Sequence, residues 1–198
     1  MAQDRAECNA VTPIFRVSYP QVFKAKFNSL SKKDEFSVQA LFKKGENLEQ
    51  MKLAAAEACM KKWGADKSKW PSNLKNPFRD QKDRAKNGSL PDGCEEGAIY
   101  CTFKSNSQPA IRDAANQSFV TESSKFYAGC YARASVYAMA YDVNGGRGVT
   151  FLLNHLQFAR DGEPFSGRPA VEDAFAPIEG AGGASGGGSD ATAIFDIT

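Results

Sequence analysis

Small and large side chains alternate along residues 130–141, and this alternation is the strongest structural signal in the chain. One set of positions holds only small or β-branched residues, namely Cys130, Ala132, Ala134, Val136, Ala138 and Ala140. The other set holds Tyr131, Arg133, Ser135, Tyr137, Met139 and Tyr141. Because successive side chains of a β-strand point to opposite faces, the pattern predicts a strand whose small face packs inward. Its outer face then presents a row of three tyrosines and an arginine, which suits a flat, anionic ligand.

A second long strand follows directly after this one. Asn144, Gly145 and Gly146 tolerate the positive φ angles of a tight hairpin turn, and Gly148 favours a bulge nearby. Residues 149–159 are apolar on both faces, with Val149, Phe151 and Leu153 against Leu152, Leu156 and Phe158. Such a strand is typical of the interior of a sheet or barrel. The sequence therefore predicts a hairpin over residues 126–161.

The rest of the chain predicts three more strands and one helix. Residues 11–19 are rich in β-formers, with a break at Pro20 and a resumption at Val22. Residues 35–42 and 97–104 alternate, and the second run places Tyr100 and Lys104 on one polar face. Residues 47–63 hold strong helix formers, with Asn47 as the N-cap and Gly64 as the terminator. The apolar stripe of this helix is predicted to pack against the sheet.

These elements favour a mainly β domain with an OB-like architecture. Five strands would form a small barrel, with one helix between the second and third strands, a long basic loop and a disordered C-terminal tail. We assign residues 1–171 to the folded domain and residues 172–198 to a flexible, acidic, glycine-rich tail. The chain length is sufficient for one such core.

Charge is distributed unevenly along the chain. The formal net charge is +2, but residues 172–198 contain five acidic residues and no lysine or arginine, which gives −5. Residues 1–171 therefore carry +2 − (−5) = +7. A basic domain joined to an acidic end is a pattern for binding a polyanion and regulating access to it.

The long basic loop covers residues 61–86. It contains nine lysines or arginines against three aspartates, with Trp63, Trp70 and Phe78 interleaved. Cations neutralise phosphates and aromatic faces stack on bases, so this composition suits a flexible nucleic-acid strand. Trp63 is interpreted as an anchor to the core, whereas Trp70 and Phe78 suit core packing and base stacking equally.

Catalytic and metal-binding motifs are scarce in this sequence. The five cysteines are scattered without a CxxC pair, which indicates reduced thiols, and His155 is the single histidine. A zinc site would draw on Cys94, Cys101, Cys130 and His155, but their spacing matches no recurring pattern. A Mg²⁺-dependent nuclease would draw on Asp80, Asp83, Asp92, Glu95 and Glu96, which need not converge. We therefore predict a binding protein without cofactor or metal.

Recognition of a family adds to this interpretation. The run FYAGCYARASVYAMAYDVNGGRGVTFLLNHLQFARDGEPFSGR resembles a phage family of OB-fold single-stranded-DNA-binding proteins, formerly a domain of unknown function. The segments NPFRD at 76–80 and VEDAF at 171–175 are also similar, and the resemblance covers residues 10 to 176. It implies a replication or recombination protein that coats exposed strands in the cytoplasm of the infected bacterial host. It also implies an acidic tail that competes with DNA and docks replication proteins, although the end DATAIFDIT offers Phe195 with only Asp190 and Asp196 nearby.

The binding hypothesis assigns stacking and phosphate-contacting roles. The predicted stacking residues are Tyr131, Tyr137, Tyr141, Tyr100, Trp70 and Phe78. The predicted phosphate contacts are Arg133, Lys104, Lys75, Arg79, Lys82 and Arg84. The alternative is a phage structural or assembly protein whose tyrosine face is a subunit interface in a homo-oligomer. Neither hypothesis requires a membrane, and the chain has no apolar run of spanning length.

Overall fold

Five long strands close into a ring in the computed structural model, which describes residues 7–29, 31–143 and 146–165. The strands and the helix, in chain order, are β1 (Asn9–Val11), β2 (Phe15–Asn28), β3 (Lys33–Leu41), α1 (Glu49–Trp63), β4 (Arg79–Asp80), β5 (Ile99–Ser105), β6 (Ala110–Arg112), β7 (Tyr131–Val143) and β8 (Gly146–Arg160). Two short 3₁₀ turns, Lys67–Lys69 and Gln81–Arg84, lie in the basic loop. The predicted mainly β class with one helix is therefore confirmed for the described residues.

The ring runs β2–β3–β5–β8–β7 and returns to β2. Its pairings are antiparallel except that of β5 with β8, which is parallel. The short strands extend the ring: β1 pairs with β7, β6 pairs in parallel with β8, and β4 pairs with β5. The helix α1 packs against β1 and β7.

The hairpin β7–β8 has the predicted register. Residues 130, 132, 134, 136 and 138 are each at most 1% exposed, so the small face points into the core. Small residues are needed there because four phenylalanines fill the centre of the ring. Phe15 contacts Phe42 and Phe103 edge-to-face at 5.8 Å, and Phe103 contacts Phe151 at 6.1 Å. The turn residues 144 and 145 lie outside the described residues, as does the predicted tail 172–198.

The strand β8 differs from its prediction in where it bulges. Gly148 pairs in register with Tyr141, so the expected bulge at Gly148 is wrong. The ladder instead shifts between Ser135 and Val136, where β8 passes from His155 to Leu153 and leaves Asn154 as the extra residue. This extra residue returns Leu156 to the inner face, where it is 2% exposed, rather than to the outer face that strict alternation predicts.

Pro20 does not break the second strand. The strand β2 continues through it, but the ladder with β3 is irregular between Ser18 and Gln21. Tyr19, within this irregularity, adopts a positive φ of 45°. The strand tolerates proline at position 20 because residues in the bulge do not need a backbone N–H to pair with β3. The predicted interruption is thus a bulge within one strand.

The helix begins at Glu49, one residue later than an N-cap at Asn47 predicts. Leu48 occupies the N-cap position, and Asn47 Oδ1 accepts a hydrogen bond from the Glu49 amide at 2.9 Å. The helix ends at Gly64, with φ of 88°, whose amide donates to Met60 O at 2.8 Å. The predicted apolar stripe, from Leu48 to Cys59, is buried.

The basic loop is held against the ring rather than extended into solvent. Phe78 contacts Phe151 edge-to-face at 5.6 Å. Gln81 is fully buried, and its Nε2 donates to Phe42 O at 2.8 Å and to Ile99 O at 2.9 Å. Its Oε1 accepts from the Glu95 amide at 2.8 Å, so this one side chain fastens the loop to the end of β3, to β5 and to the segment before β5. The loop residues beyond Phe78 are therefore fixed over β5.

Candidate nucleic-acid interface

An arginine lies between two tyrosines on the outer side of β2 and β5. The Arg84 guanidinium carbon is 5.2 Å from the centroid of Tyr19 and 5.6 Å from that of Tyr100. Arg84 Nη2 donates to Ser18 Oγ at 3.2 Å, and Nη1 lies 3.5 Å from Cys94 Sγ. Tyr19 is 58% exposed, whereas Tyr100 is 6% exposed. The arrangement is a fixed cation with one open aromatic ring beside it, and we name Tyr19, Arg84 and Tyr100 the Arg84 stack.

Local backbone geometry places Tyr19 in this stack. A φ of 45° is unusual for a bulky residue and costs on the order of 1–2 kcal/mol. Such outliers persist where the surrounding structure fixes them, and they concentrate at functional sites. Arg84 is the last residue of the 3₁₀ turn that the buried Gln81 anchors, so the basic loop places it beside Tyr19.

A second group of cations and rings lies at the start of β7. The Arg160 guanidinium carbon is 3.6 Å from the centroid of Tyr131, and that of Arg16 is 5.7 Å away. Arg16 also lies 4.5 Å from the centroid of Phe165 and donates through Nη2 to Glu163 O at 2.8 Å. Strand pairing brings these residues together, since Tyr131 pairs with both Arg16 and Arg160. We name Arg16, Tyr131, Arg160 and Phe165 the Tyr131 cluster.

A groove of about 650 Å³ links the two groups. It is lined by Tyr19 and Arg84 at one end and by Phe165 at the other. Phe165 lies directly over Gly93, where any Cβ would overlap its ring. A smaller groove of about 280 Å³ continues from Gly93 to Tyr131, Arg16 and Arg160.

We call the two grooves, together with the Arg84 stack and the Tyr131 cluster, the cation–aromatic groove. Its side chains carry charges of both signs, and three of its arginines have no ionic partner among the described residues. Arg16, Arg84 and Arg160 form no ion pair with any other residue that the structure describes. Acidic residues Glu46, Asp92 and Glu95 also line it. Guanidinium groups that stack on rings keep their edges available for phosphate oxygens. The groove is therefore suited to a ligand that combines flat rings with phosphates.

The four predicted residues of β7 lie on the outer face, as expected, but they are not equally open. Tyr131 is half-buried beneath the arginines of its cluster. Tyr137 and Tyr141 are also half-buried, and Tyr137 packs against the core cluster. Arg133 is exposed and donates through Nε to Gln157 Oε1 at 2.7 Å. The expectation of a fully open row of rings is therefore wrong.

Two predicted residues of β5 are less accessible than the alternating pattern indicated. Tyr100 is buried because the basic loop covers it, and its hydroxyl accepts from Arg79 Nη1 at 3.3 Å. Lys104 forms an ion pair with Glu35 at 3.0 Å. Burial opposes ionisation of Glu35, but hydrogen bonds from Ser31, from Asn28 and from Lys104 outweigh it and lower the carboxyl pKa. Tyr100 is thus a support for the Arg84 stack rather than an open ring.

The predicted aromatic residues of the basic loop pack inward. Trp70 is half-buried against the core, and its Nε1 donates to Gly64 O at 2.8 Å. Phe78 packs on Phe151. Both residues therefore contact the core, and each ring remains partly exposed.

The predicted cations of the loop remain mostly at the surface. Lys75, Arg79 and Lys82 are exposed, whereas Arg84 is half-buried in its stack. Lys82 lies 3.8 Å from Asp80 in an exposed ion pair. Sequence patterns missed Arg16, Tyr19, Arg160 and Phe165, because only strand pairing and the bulge bring these residues to one surface.

The alternative metal sites have no geometric support. No group of three or more histidine, cysteine, aspartate or glutamate side chains converges among the described residues. Burial raises the pKa of the Cys130 thiol to about 11 and that of the Cys101 thiol further, which keeps both protonated at neutral pH. Within the described part of the chain, no helix is long and apolar enough to cross a membrane.

The fold is OB-like, and the cation–aromatic groove combines an exposed ring with cations, which suits single-stranded nucleic acid. A family model described as the ssDNA-binding protein of Enterobacter phage Enc34 matches residues 8–184. The chain therefore belongs to this family of phage single-stranded-DNA-binding proteins, as the resemblance implied, and acts in the infected host cell.

Individual relatives agree with this assignment. The chain is 28% identical over 162 residues to putative protein p50 of Acyrthosiphon pisum secondary endosymbiont phage 1, covering 77% of this chain and 83% of p50. The structure is similar to that of the single-stranded DNA-binding protein from bacteriophage Enc34, with a TM-score of 0.62, 16% identity, and 84% and 89% of the two chains covered. That protein has also been solved in complex with ssDNA.

A more distant structural relative is gp2.5, a single-stranded DNA-binding protein encoded by bacteriophage T7. Its TM-score is 0.50 at 12% identity, with 80% of this chain and 95% of gp2.5 covered. At these identities the structural matches establish the fold alone. The predicted OB-like architecture is confirmed in this sense.

Proposed function

We propose that this protein coats single-stranded DNA during phage replication and recombination, with the cation–aromatic groove as its binding surface. The observation that most directly supports this proposal is the Arg84 stack, in which a fixed guanidinium lies beside the exposed ring of Tyr19. It occupies the outer side of β2 and β5, adjoining the strand face with which OB folds hold single strands. Rings stack on bases of any sequence and guanidiniums neutralise phosphates, so binding is sequence-tolerant.

Within this proposal the residues divide into two roles. Tyr19 and Tyr131 supply rings, with Tyr100 supporting the guanidinium from below. Arg16, Arg84 and Arg160 contact phosphates in the groove, and the exposed Lys75, Arg79 and Lys82 do so along the basic loop. Lys104 contributes only in competition with Glu35.

The folded domain, the C-terminal segment and the outer face of β7 have separate roles in this function. The protein acts without catalysis or cofactor, in the cytoplasm of the host. Residues 1–171 carry DNA binding, and residues 172–198 form an acidic tail that modulates it and recruits replication proteins. The outer residues Arg133, Tyr137 and Tyr141 contact the strand where it leaves the groove along β7.

A fluorescence titration of the full-length chain tests the proposal. Single-stranded and double-stranded oligomers of the same length are compared at two salt concentrations, with intrinsic tryptophan and tyrosine emission as the signal. We expect tight binding of oligothymidylate that weakens steeply with salt, and weaker binding of the duplex. A large oligomer by light scattering with no oligonucleotide binding at physiological salt would favour an assembly role instead.

A further inference from the structure

A second outer surface lies next to the Tyr131 cluster along β7, where four strands run side by side. The strands β1, β7, β8 and β6 are neighbours there, and their pairing aligns residues in rows. One row consists of Val11, Ser135, His155 and Ala110. The next row consists of Arg133, Gln157 and Arg112. The outer face of this small sheet is therefore polar at its centre, with small apolar residues at its two edges and arginines along one side.

An exposed aromatic ring borders the cationic row. Phe119 is 63% exposed, which is the highest value among the large apolar side chains of the described residues. The Arg112 guanidinium carbon lies 4.5 Å from its ring centroid. Arg112 is itself fixed, because its Nε donates to Asn116 Oδ1 at 3.0 Å and its Nη2 donates to Asn116 O.

The loop that carries Phe119 is ordered by hydrogen bonds. Asp113 accepts from the amides of Gln117 at 2.8 Å and Ser118 at 3.1 Å. The amide of Val120 donates to Ile111 O at 2.8 Å, which ties the loop back to β6. A ring held open in this way loses little conformational entropy when a second ring stacks on it.

The groove between Phe119 and β7 has a volume of about 590 Å³. Val11 and Ala110 contribute its apolar lining, and Arg112 and Arg133 are its cations. Neither arginine forms an ion pair with another described residue. An exposed ring beside a fixed guanidinium repeats the chemistry of the Arg84 stack.

This groove lies on the same outer face of β7 as Tyr131. Tyr131 and Arg133 are successive outer residues of β7, about 7 Å apart along the strand. Arg112 lies two strands away from Arg133, a further ~10 Å across the sheet. A strand of nucleotides that leaves Tyr131 therefore reaches Phe119 only after a few further nucleotides, beyond the reach of a short oligomer that fills the cation–aromatic groove.

We propose that Phe119 and Arg112 form a second base-stacking station, which extends the single-stranded DNA path from the Tyr131 cluster across β7 and β8 to β6. This inference rests on the proposed function of the cation–aromatic groove. Phe119 stacks on a base, Arg112 holds the ring and contacts a phosphate, and Arg133 guides the backbone between the two stations. The station binds only oligomers long enough to span both surfaces.

The test compares Phe119→Ala with wild type on two oligothymidylates, of about 6 and about 16 nucleotides, at low salt. We expect a loss of about fivefold or more in affinity for the longer oligomer and little change for the shorter one. Leu53→Ala is the matched control, because Leu53 is 61% exposed on α1, and it is expected to bind both oligomers as wild type does.

A second variant, Phe119→Trp, places a reporter at the station. Its emission in excess of wild type is expected to be quenched by the longer oligomer at saturation. If wild type binds DNA but Phe119→Ala keeps full affinity for the longer oligomer and Phe119→Trp is not quenched, the second station is refuted and an acidic protein segment becomes the better candidate for the groove. Failure of wild type to bind either oligomer would instead refute the proposed function itself.

Discussion

The main chain of Lys75 lies against Gly148 so closely that a Cβ on Gly148 would be 2.6 Å from the Lys75 carbonyl oxygen. The Lys75 amide donates to Arg147 O at 2.8 Å, and the Val149 amide donates to Lys75 O at 3.2 Å. The basic loop is thus attached to β8 by a parallel bridge. Gly148 is required for this close approach of two backbones rather than for a bulge.

Replacement of Gly148 by alanine should therefore loosen the loop. We expect Gly148→Ala to lower the free energy of unfolding by ~1–3 kcal/mol, because the added methyl group displaces the Lys75 backbone. Urea denaturation measures the loss, and hydrogen exchange at the Lys75 and Val149 amides locates it. Gly146→Ala is the control, since a Cβ there meets its nearest atom, Val143 O, at 3.5 Å. Equal stability of the two variants would contradict the bridge.

The backbone conformation of Tyr19 should cost stability, whereas its ring should contribute to DNA binding. Its positive φ favours glycine, so Tyr19→Gly should be more stable than Tyr19→Ala by ~1 kcal/mol. Both variants lose the ring and should bind oligothymidylate more weakly by ~1–3 kcal/mol. Thermal unfolding and anisotropy titrations on the same preparations measure the two effects. Unchanged affinity in both variants would remove Tyr19 from the binding surface.

Arg84 should contribute both charge and shape. Arg84→Gln is expected to reduce the slope of log affinity against log salt by about 0.7, because one phosphate contact is lost. Arg84→Lys keeps the charge and should keep the slope, yet it loses planar stacking between the tyrosines and should still weaken binding. The two variants are compared over a series of salt concentrations. If Arg84→Lys binds as wild type does, the stack has no role beyond its charge.

Glu35 should restrain DNA binding by neutralising Lys104. The two side chains form an ion pair at 3.0 Å, with Lys104 40% exposed. Glu35→Gln removes the negative charge and frees the ammonium group, so we expect higher affinity for oligothymidylate and a steeper salt dependence. The double variant Glu35→Gln/Lys104→Gln should lose this gain. A gain that persists in the double variant would place the effect elsewhere.

The lowered pKa of the Glu35 carboxyl also predicts that the stability of the fold depends on pH. The folded-state pKa of Glu35 is lowered below its ordinary value of 4.5, so its ionised form is favoured by folding. The contribution is present at neutral pH and is lost as pH falls below 4.5, through the lowered pKa. Denaturant titrations at several acidic pH values should show a shallower loss of stability for Glu35→Gln than for wild type. Identical profiles would show that the ionised Glu35 carboxylate, with its bonds from Ser31, Asn28 and Lys104, does not stabilise the fold.

Truncation after Phe175 tests the acidic tail, which lies outside the described residues. It removes Glu179, Asp190 and Asp196 and no cation, so the formal net charge rises from +2 to +2 + 3 = +5. We expect higher affinity for oligothymidylate at low salt and a smaller difference at high salt, because the competition is electrostatic. A variant with the three acids replaced by their amides separates charge from length. Unchanged affinity on truncation would refute a competing tail.

Local patterns in the sequence predicted the elements of the fold well. The alternation of small and large residues over 130–141 specified which face of β7 is buried, because side-chain direction in a strand depends only on its own backbone. The helix end at Gly64 followed from conformational preference alone. The OB-like class followed from the order of these elements along the chain.

The position of the proposed binding surface was decided by tertiary structure. Tyr131 meets Arg16 and Arg160 through strand pairing, and these arginines are 115 and 29 residues away in sequence. Tyr100 is covered because the buried Gln81 anchors the loop above it. The sequence by itself determined which side chains face outward, since that is a local property of each strand. Which of them remain open, and which cations lie beside them, depended on contacts between distant segments.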